Sequence, residues 1–472
     1  MKNSTNFGLL LFPTCALAAI ASATGPAASA NSSLENEMFG GESPTPASPA
    51  TTDVSQKQPS MPPLKDSDNP NDALTLGGRL ELQSSLLKSS RQEIGDTPFN
   101  HSAAAELYLD SRPNDSLRGF VKGALMQRQL GTSPEPSEPE FSLYELWIKW
   151  GGERSIYTTL GKQKLKWGAA SFWNPTDFLS VQNKDPLASF DVRPGANLIK
   201  FHLPLEKLGH NFYTVVDLEN AKTGNSPLLA ARAEFNYGFG NWTGELTTSF
   251  AGGKDQPSKF GLDLSTALGP LDLVVESAWT RRSNQKFYQK ATSEAGILNF
   301  FETDRFQQNI PQIVTGVRYD LKYSDSDSAN FNLEYFWNDA GYSDVALEAY
   351  SFVQNQSPRL YLANRYVAAS LFLNQPGDFN NSSLLLTTLS NLTDKSWLIR
   401  GSMTHRIDTR SRIEYAVVKA GGIGEFTGGL PEDLSAKLKD SGNLPKNATD
   451  MLDRISGIQQ NLTLSVTAGI DL

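Results

Sequence analysis

Cysteine is almost missing from the chain of 472 residues: the single one, Cys15, lies in an apolar N-terminal stretch. If that stretch is a removable leader, no disulfide, thiolate metal site or cysteine nucleophile remains. Long hydrophobic runs are scarce too. Past about residue 30 no run reaches the roughly 18 apolar residues of a spanning helix candidate. An excess of positive charge is also lacking. The net charge is -9 and the sequence pI about 5.2, which argues against nucleic acid as a partner. Histidine is sparse, and His101, His202, His210 and His405 have no metal-ligand spacing. There is no Gly-x-Ser-x-Gly elbow. Gly421-Gly422-Ile423-Gly424 lacks the lysine of a phosphate loop. No cofactor, metal site or enzymatic activity is expected.

The N-terminus reads as an export signal. Lys2 supplies positive charge and residues 7–21 an apolar stretch, followed by Ala21-Ser22-Ala23 and Ala28-Ser29-Ala30 as cleavage sites. Residues 1–30 are expected to be a signal peptide, cut after Ala30 or, alternatively, Ala23. Residues 31–72 carry seven prolines with much Ser, Thr and Asp. Such a segment cannot bury enough surface to offset chain entropy, and a disordered periplasmic linker is expected.

From Ala73 to Leu472 the pattern is different. Leu74, Leu76, Leu80 and Leu82 alternate with Thr75, Arg79, Glu81 and Gln83, and Leu462, Leu464, Val466, Ala468 and Ile470 repeat the rhythm at the far end. Alternation marks a strand with one apolar and one polar face. About 18 such segments occur, near 74–86, 101–111, 117–129, 142–150, 154–163, 195–203, 211–218, 229–239, 242–251, 259–268, 271–282, 311–323, 329–337, 365–374, 382–392, 397–407, 412–420 and 461–472. Most are close to the 9–11 residues of a tilted membrane-crossing strand. The connections between them alternate short and long, with 393–396 the one short connection among the long ones. That alternation predicts an all-β, transmembrane antiparallel barrel of about 18 strands, with 16 as the alternative. Short turns would face the periplasm and long loops the exterior of a Gram-negative bacterium, in an outer membrane whose lipid contacts the apolar parity. Trp150, Tyr237, Phe239, Trp242, Phe250, Trp279, Tyr323, Trp337 and Trp397 suit interfacial girdles. A homotrimer is compatible with such a face.

The opposite parity carries charge. Arg118, Lys122, Glu145, Lys149, Arg232, Glu234, Arg318, Arg400 and Arg406 fall there, together with Arg79, Glu81, Glu106, Asp110, Asp320, Lys322, Arg412 and Glu414. Lysine or arginine facing lipid at the bilayer midplane costs roughly 2–4 kcal/mol, so these residues are expected to line a wet lumen. Many would pair across neighbouring strands. Barrels of 16–18 strands are wide enough for an aqueous channel.

The third long connection, 164–194, has too many aromatic residues to lie comfortably in water. Two expectations compete: an inward fold that constricts the lumen, or Trp167, Phe172 and Trp173 simply packing the loop on the wall. Lys162, Gln163, Lys164, Lys166, Trp167, Trp173 and Asp177 are the constriction candidates. The three lysines share parity with Ile156 and Leu160, so lumenal placement requires the strand to end near Gly161 or a bulge to flip it. Helical spacing appears at Val345, Ala349 and Phe352 and at Met451, Leu452, Ile455 and Ile458. Pro431-Glu432-Asp433 fits a helix start.

Gly161-Lys162-Gln163, Trp167-Gly168, Asn174-Pro175-Thr176-Asp177 and Asp185-Pro186 resemble a segment of outer-membrane porin-type barrels, most like alginate-export-related and other substrate-selective porins; Asn391-Leu392-Thr393-Asp394-Lys395-Ser396 is a second echo. The resemblance implies passage of solutes through the outer membrane, with Lys162, Gln163, Trp167 and Asp177 near the pore. It also implies recognition of the C-terminal strand by the barrel-assembly machinery, although Leu472 stands where an aromatic residue is common. The expected function is passive, selective diffusion of a small hydrophilic solute. The alternatives are a surface receptor or adhesin with a closed lumen, and a barrel hydrolase.

Overall fold

In the computed structural model the described residues are 73–472, apart from 91–98, 115, 132–135, 152–155, 181–192, 220–225, 240–241, 293–297, 325–326, 356–360, 442–443 and 446–447. The expected leader and linker, and Asp185-Pro186, lie outside them.

The strands are β1 (Leu74–Ser89), β2 (Phe99–Asn114), β3 (Leu117–Gln129), β4 (Glu140–Trp150), β5 (Tyr157–Gln163), β6 (Ala196–Leu205), β7 (His210–Asp217), β8 (Leu228–Phe239), β9 (Trp242–Gly253), β10 (Gln256–Leu268), β11 (Leu271–Arg281), β12 (Phe287–Thr292), β13 (Leu298–Thr303), β14 (Ile310–Lys322), β15 (Ser328–Asn338), β16 (Arg365–Asn374), β17 (Ser382–Asn391), β18 (Trp397–Arg406), β19 (Ser411–Gly421) and β20 (Gln460–Asp471). Eighteen of them, all but β12 and β13, form one sheet of antiparallel neighbours. β1 pairs with both β2 and β20, with Leu80 opposite Ile470, so the sheet closes without an edge. The count is therefore 18, not 16.

Parity sets the two faces. On β1, Leu80 and Leu82 are 44% and 64% exposed, whereas Glu81 and Gln83 between them are both 7% exposed. The same outward display recurs in Leu107, Leu125, Ile148, Leu160, Phe250, Leu262, Leu333, Tyr415 and Val466. An apolar surface encircling the molecule is unfavourable in water and favourable in lipid, and with charge on the inner face it makes this a transmembrane barrel. On β4 a register shift opposite Lys122 and Gly123 lets Phe141 and Leu146 both face outward despite their odd spacing.

One end carries short turns; the other carries long loops, several with structure of their own. β12 and β13 form a hairpin in the connection 283–310, where alternation predicted only a loop. Six-residue strands are too short to announce themselves by periodicity. The next long loop contains helix α1 (Val345–Asn355), and the last contains a 3-10 turn (Glu425–Thr427), α2 (Glu432–Asp440) and α3 (Ala448–Ile455). Pro431 caps α2, followed by Glu432 and Asp433 in the first turn, at the positive end of the helix dipole. These elements converge into a cap with its own apolar core of Tyr288, Phe300, Tyr350, Leu438, Leu452 and Ile455. Phe300 lies parallel to Tyr350 at a centroid distance of 4.1 Å.

Candidate functional site: the lumen and loop 3

The third long connection, loop 3, folds into the barrel. Its backbone is held by two carboxylates near the middle of the far wall, Glu276 on β11 and Glu334 on β15, 0% and 1% exposed. Glu334 accepts from Ser171 N at 2.6 Å and Phe172 N at 2.9 Å. Glu276 accepts from Ala170 N at 3.2 Å, Thr176 N at 2.9 Å and Thr176 Oγ1 at 2.8 Å. Arg318 of β14 donates through Nη2 to the carbonyl of Ala169. A loop lacks ladder partners for its N–H groups, and buried ones must be satisfied elsewhere. Here the carboxyl groups of Glu276 and Glu334 on the wall serve as the acceptors. Gly168 (φ +95°) is required for the close approach, because a Cβ there would stand 2.6 Å from Glu276 Oε1.

Aromatic packing completes the anchorage. Trp173 stacks on Phe336 at 5.4 Å and meets Tyr366 at 6.0 Å, and Tyr366 in turn meets Phe426 of the last loop at 6.3 Å. Trp167 packs edge-on to Phe178 at 6.3 Å, with the Arg232 guanidinium 5.8 Å from its ring centroid. Loop 3 thus both occupies the lumen and packs its large rings against the wall.

Around most of the wall inward side chains are buried, including Glu81, Arg412 and Thr463 on β1, β19 and β20. Inward side chains of β10, β11, β15 and β18 are buried, among them Asp263, Glu276, Asn332, Glu334 and Arg400. Inward side chains of β2, β3 and β4 remain partly exposed: Tyr108, Arg118, Phe120, Lys122, Glu145, Trp147 and Lys149. The inner wall at β2–β4 is therefore the part that stays accessible to solvent.

The structure sorts the expected constriction residues differently from the sequence. Lys162 is a correction: it sits opposite Leu146 on the outward parity, and its ammonium donates to the Leu143 carbonyl at the loop-side rim. Gly161 takes a φ of +128° yet the β5–β6 ladder continues unshifted through Gln163, so no bulge turns the face inward. Gln163 points inward but is 3% exposed, donating to the carbonyls of Thr159 and Leu198. Lys164 places its ammonium 5.7 Å from the Tyr144 ring centroid, and Lys166 is partly buried in the same stretch. Asp177 binds Arg193 at 3.0 Å and Ser180 Oγ at 2.6 Å.

Most of the expected wall charges form pairs. Arg118 holds Asp110 through two bonds of 2.9 and 3.0 Å, and Lys122 holds Glu106 at 2.9 Å. Arg232 bridges Glu234 at 2.8 Å and Asp263 at 3.3 Å. Arg400, 1% exposed, pairs with Glu414. Glu145 accepts from Trp147 Nε1 at 3.1 Å, and the Lys149 ammonium lies 4.9 Å from the Tyr157 ring centroid. Arg406 shares the inward parity of Arg400 at the turn-side end of β18. Glu276 and Glu334 were absent from the expected site. The signal available was an acid on the polar parity of strands that carry no cation to answer it before their ends.

No family model and no curated protein matches the chain. Among solved structures, it is similar to a multiply substituted mutant of Rh. blastica porin (10% identity, covering 84% of this chain and 100% of that one, TM-score 0.38). A triple mutant of Rhodopseudomonas blastica porin is similar to the same extent (9% identity, 84% and 100% coverage, TM-score 0.38). So is a structure described by the asymmetric conductivity of engineered proteins (9% identity, 84% and 100% coverage, TM-score 0.38). Likeness at this level carries no argument, and the functional reading rests on the barrel itself.

Proposed function

We propose that this protein is an outer-membrane porin-like channel for passive, selective diffusion of small hydrophilic solutes. The observation that carries the reading is the asymmetry of the lumen: loop 3 seals one side against Glu276 and Glu334, while the charged wall of β2–β4 stays accessible. A solute moves along Arg118, Lys122, Glu145 and Lys149, beside aromatic rings that include Tyr108, Phe120 and Trp147. Selection is steric, by the loop 3 edge, and electrostatic, by a wall carrying both signs. No group on this path acts on the solute chemically.

The short turns face the periplasm and the cap faces outside, in the orientation usual for such barrels. Residues 1–30 direct export, 31–72 tether the barrel on the periplasmic side, and the last strand is the element read by the assembly machinery. A homotrimer would bury part of the outer apolar face. A receptor with a closed lumen is favoured by one observation, the helical cap over the loop side.

Swelling of liposomes containing the refolded full chain separates these readings. Uptake that falls steeply with sugar size supports the selective channel. No swelling with any sugar, from folded and inserted protein, supports the closed receptor.

A further inference from the structure

Above loop 3, on the side of the long loops, lies a cavity of about 410 Å³, within the usual range for small-molecule sites. Trp173 and Asn174 of loop 3, Lys259 of β10, Gln312 of β14, and Tyr342 and Tyr361 of the α1 loop line it. It lies off the accessible side of the lumen, over the sealed one.

Its charge is unlike that of the wall below. Arg118, Lys122 and Arg232 each hold a carboxylate at 2.8–2.9 Å. Lys259, on the inward parity of β10 and partly buried, has no ion-pair partner among the described residues; its ammonium lies 5.4 Å from the Phe178 ring centroid. Asp177 and Arg193 also line the cavity and hold each other at 3.0 Å, while Asp177 and Asp217 act on the Lys259 ammonium only from beyond ion-pair distance. A partly buried ammonium with no carboxylate in direct contact gains when an anion joins it at close range. A second group is also unspent. Trp173 is 3% exposed and its indole N–H has no acceptor among the described residues. Gln312 donates to Asn338 Oδ1 at 2.8 Å, which leaves its own carbonyl free to accept. The remaining lining is aromatic, with Phe172, Phe336, Tyr342 and Tyr361 beside Trp173, and suits a flat ring.

We propose that this cavity binds a small aromatic monocarboxylate, with the carboxylate on Lys259, the ring against Trp173 and Tyr361, and a polar ring substituent on the Gln312 carbonyl. The inference needs loop 3 in place but not an open pore, so it is separable from the channel reading.

Titration calorimetry on the full chain in detergent tests it with three probes: benzoate, benzamide, which keeps the ring without the charge, and acetate, which keeps the charge without the ring. Benzoate is expected to bind one per chain, with benzamide and acetate each about tenfold weaker, about 1.4 kcal/mol apiece. Lys259→Gln should bring benzoate down to the level of benzamide, leave benzamide unchanged, and leave heat-modifiable migration intact. Lys259→Arg should retain most of the benzoate preference. No binding of benzoate, equal binding of benzoate and benzamide, or full benzoate affinity in a folded Lys259→Gln chain overturns the proposal. The wild-type comparison decides the matter even if the variant fails to fold.

Discussion

Glu348 of α1 and Glu425 of the last loop share one hydrogen-bond donor: Nδ2 of Asn391 lies 3.3 Å from Glu348 Oε2 and 3.0 Å from Glu425 Oε2. Two carboxyls this close, with Asp394 nearby, cannot all be charged at little cost. Burial, then Asp394 and Glu425, push Glu348 up to about 9. Burial chiefly, with Asp394 adding to it, pushes Glu425 up to about 7, although Tyr366 donates to it. Both values are raised above the ordinary 4.5, so the folded cap binds more protons than the unfolded loops. Its stability is greatest below the ordinary carboxyl range and falls as pH rises through about 7 and then about 9. Limited proteolysis of the loops should therefore accelerate between pH 5 and pH 9.5, and Glu348→Gln should flatten the upper part of that rise. Equal cleavage at both pH values contradicts this.

Glu334→Ala removes the acceptor of Ser171 N and Phe172 N. Bonds to a charged acceptor are worth roughly 1.5–3 kcal/mol each, enough to free a loop while the barrel stays closed. Tryptophan emission should shift to the red as Trp173 leaves Phe336, with heat-modifiable migration retained. Unchanged emission would show that the aromatic contacts alone hold the loop.

Gly168→Ala tests the same anchorage from the other partner. The added methyl meets the Glu276 carboxylate and demands a φ of +95° from an L-residue. The variant should resemble Glu276→Ala in loop protection measured by hydrogen exchange at Ala170 and Thr176, while β1 and β20 keep wild-type protection.

Arg400→Ala strands Glu414 inside the wall. Removing one member of a buried pair costs roughly 3–5 kcal/mol, so the temperature of heat-modifiable migration should drop markedly. Replacing both by residues that pack without charge should recover much of it.

The strands were legible because lipid outside and charge inside impose opposite demands on alternate residues, as Leu80, Glu81 and Leu82 illustrate. Loop 3 was legible as a segment needing cover, from Trp167, Phe172 and Trp173. Its anchors were not, because Glu276 and Glu334 lie 100 and 162 residues further along the chain from Thr176 and Phe172. Lys162 was misplaced because alternation was allowed to break at Gly161, and hydrogen bonding carried it two residues further. The cap was only half legible. α1, α2 and α3 follow helical spacing, but their mutual packing with β12 and β13 depends on contacts between three different loops, such as Tyr350 on Phe300.

Single-channel conductance of the full chain in a planar bilayer, compared with a Glu276→Ala/Glu334→Ala double variant, tests the channel and its constriction together. The wild type should show stable open steps, and the variant larger ones, because loop 3 no longer seals its side of the lumen. Silent insertion of folded wild type, or steps of equal size in both proteins, would contradict a pore whose bore is set by loop 3.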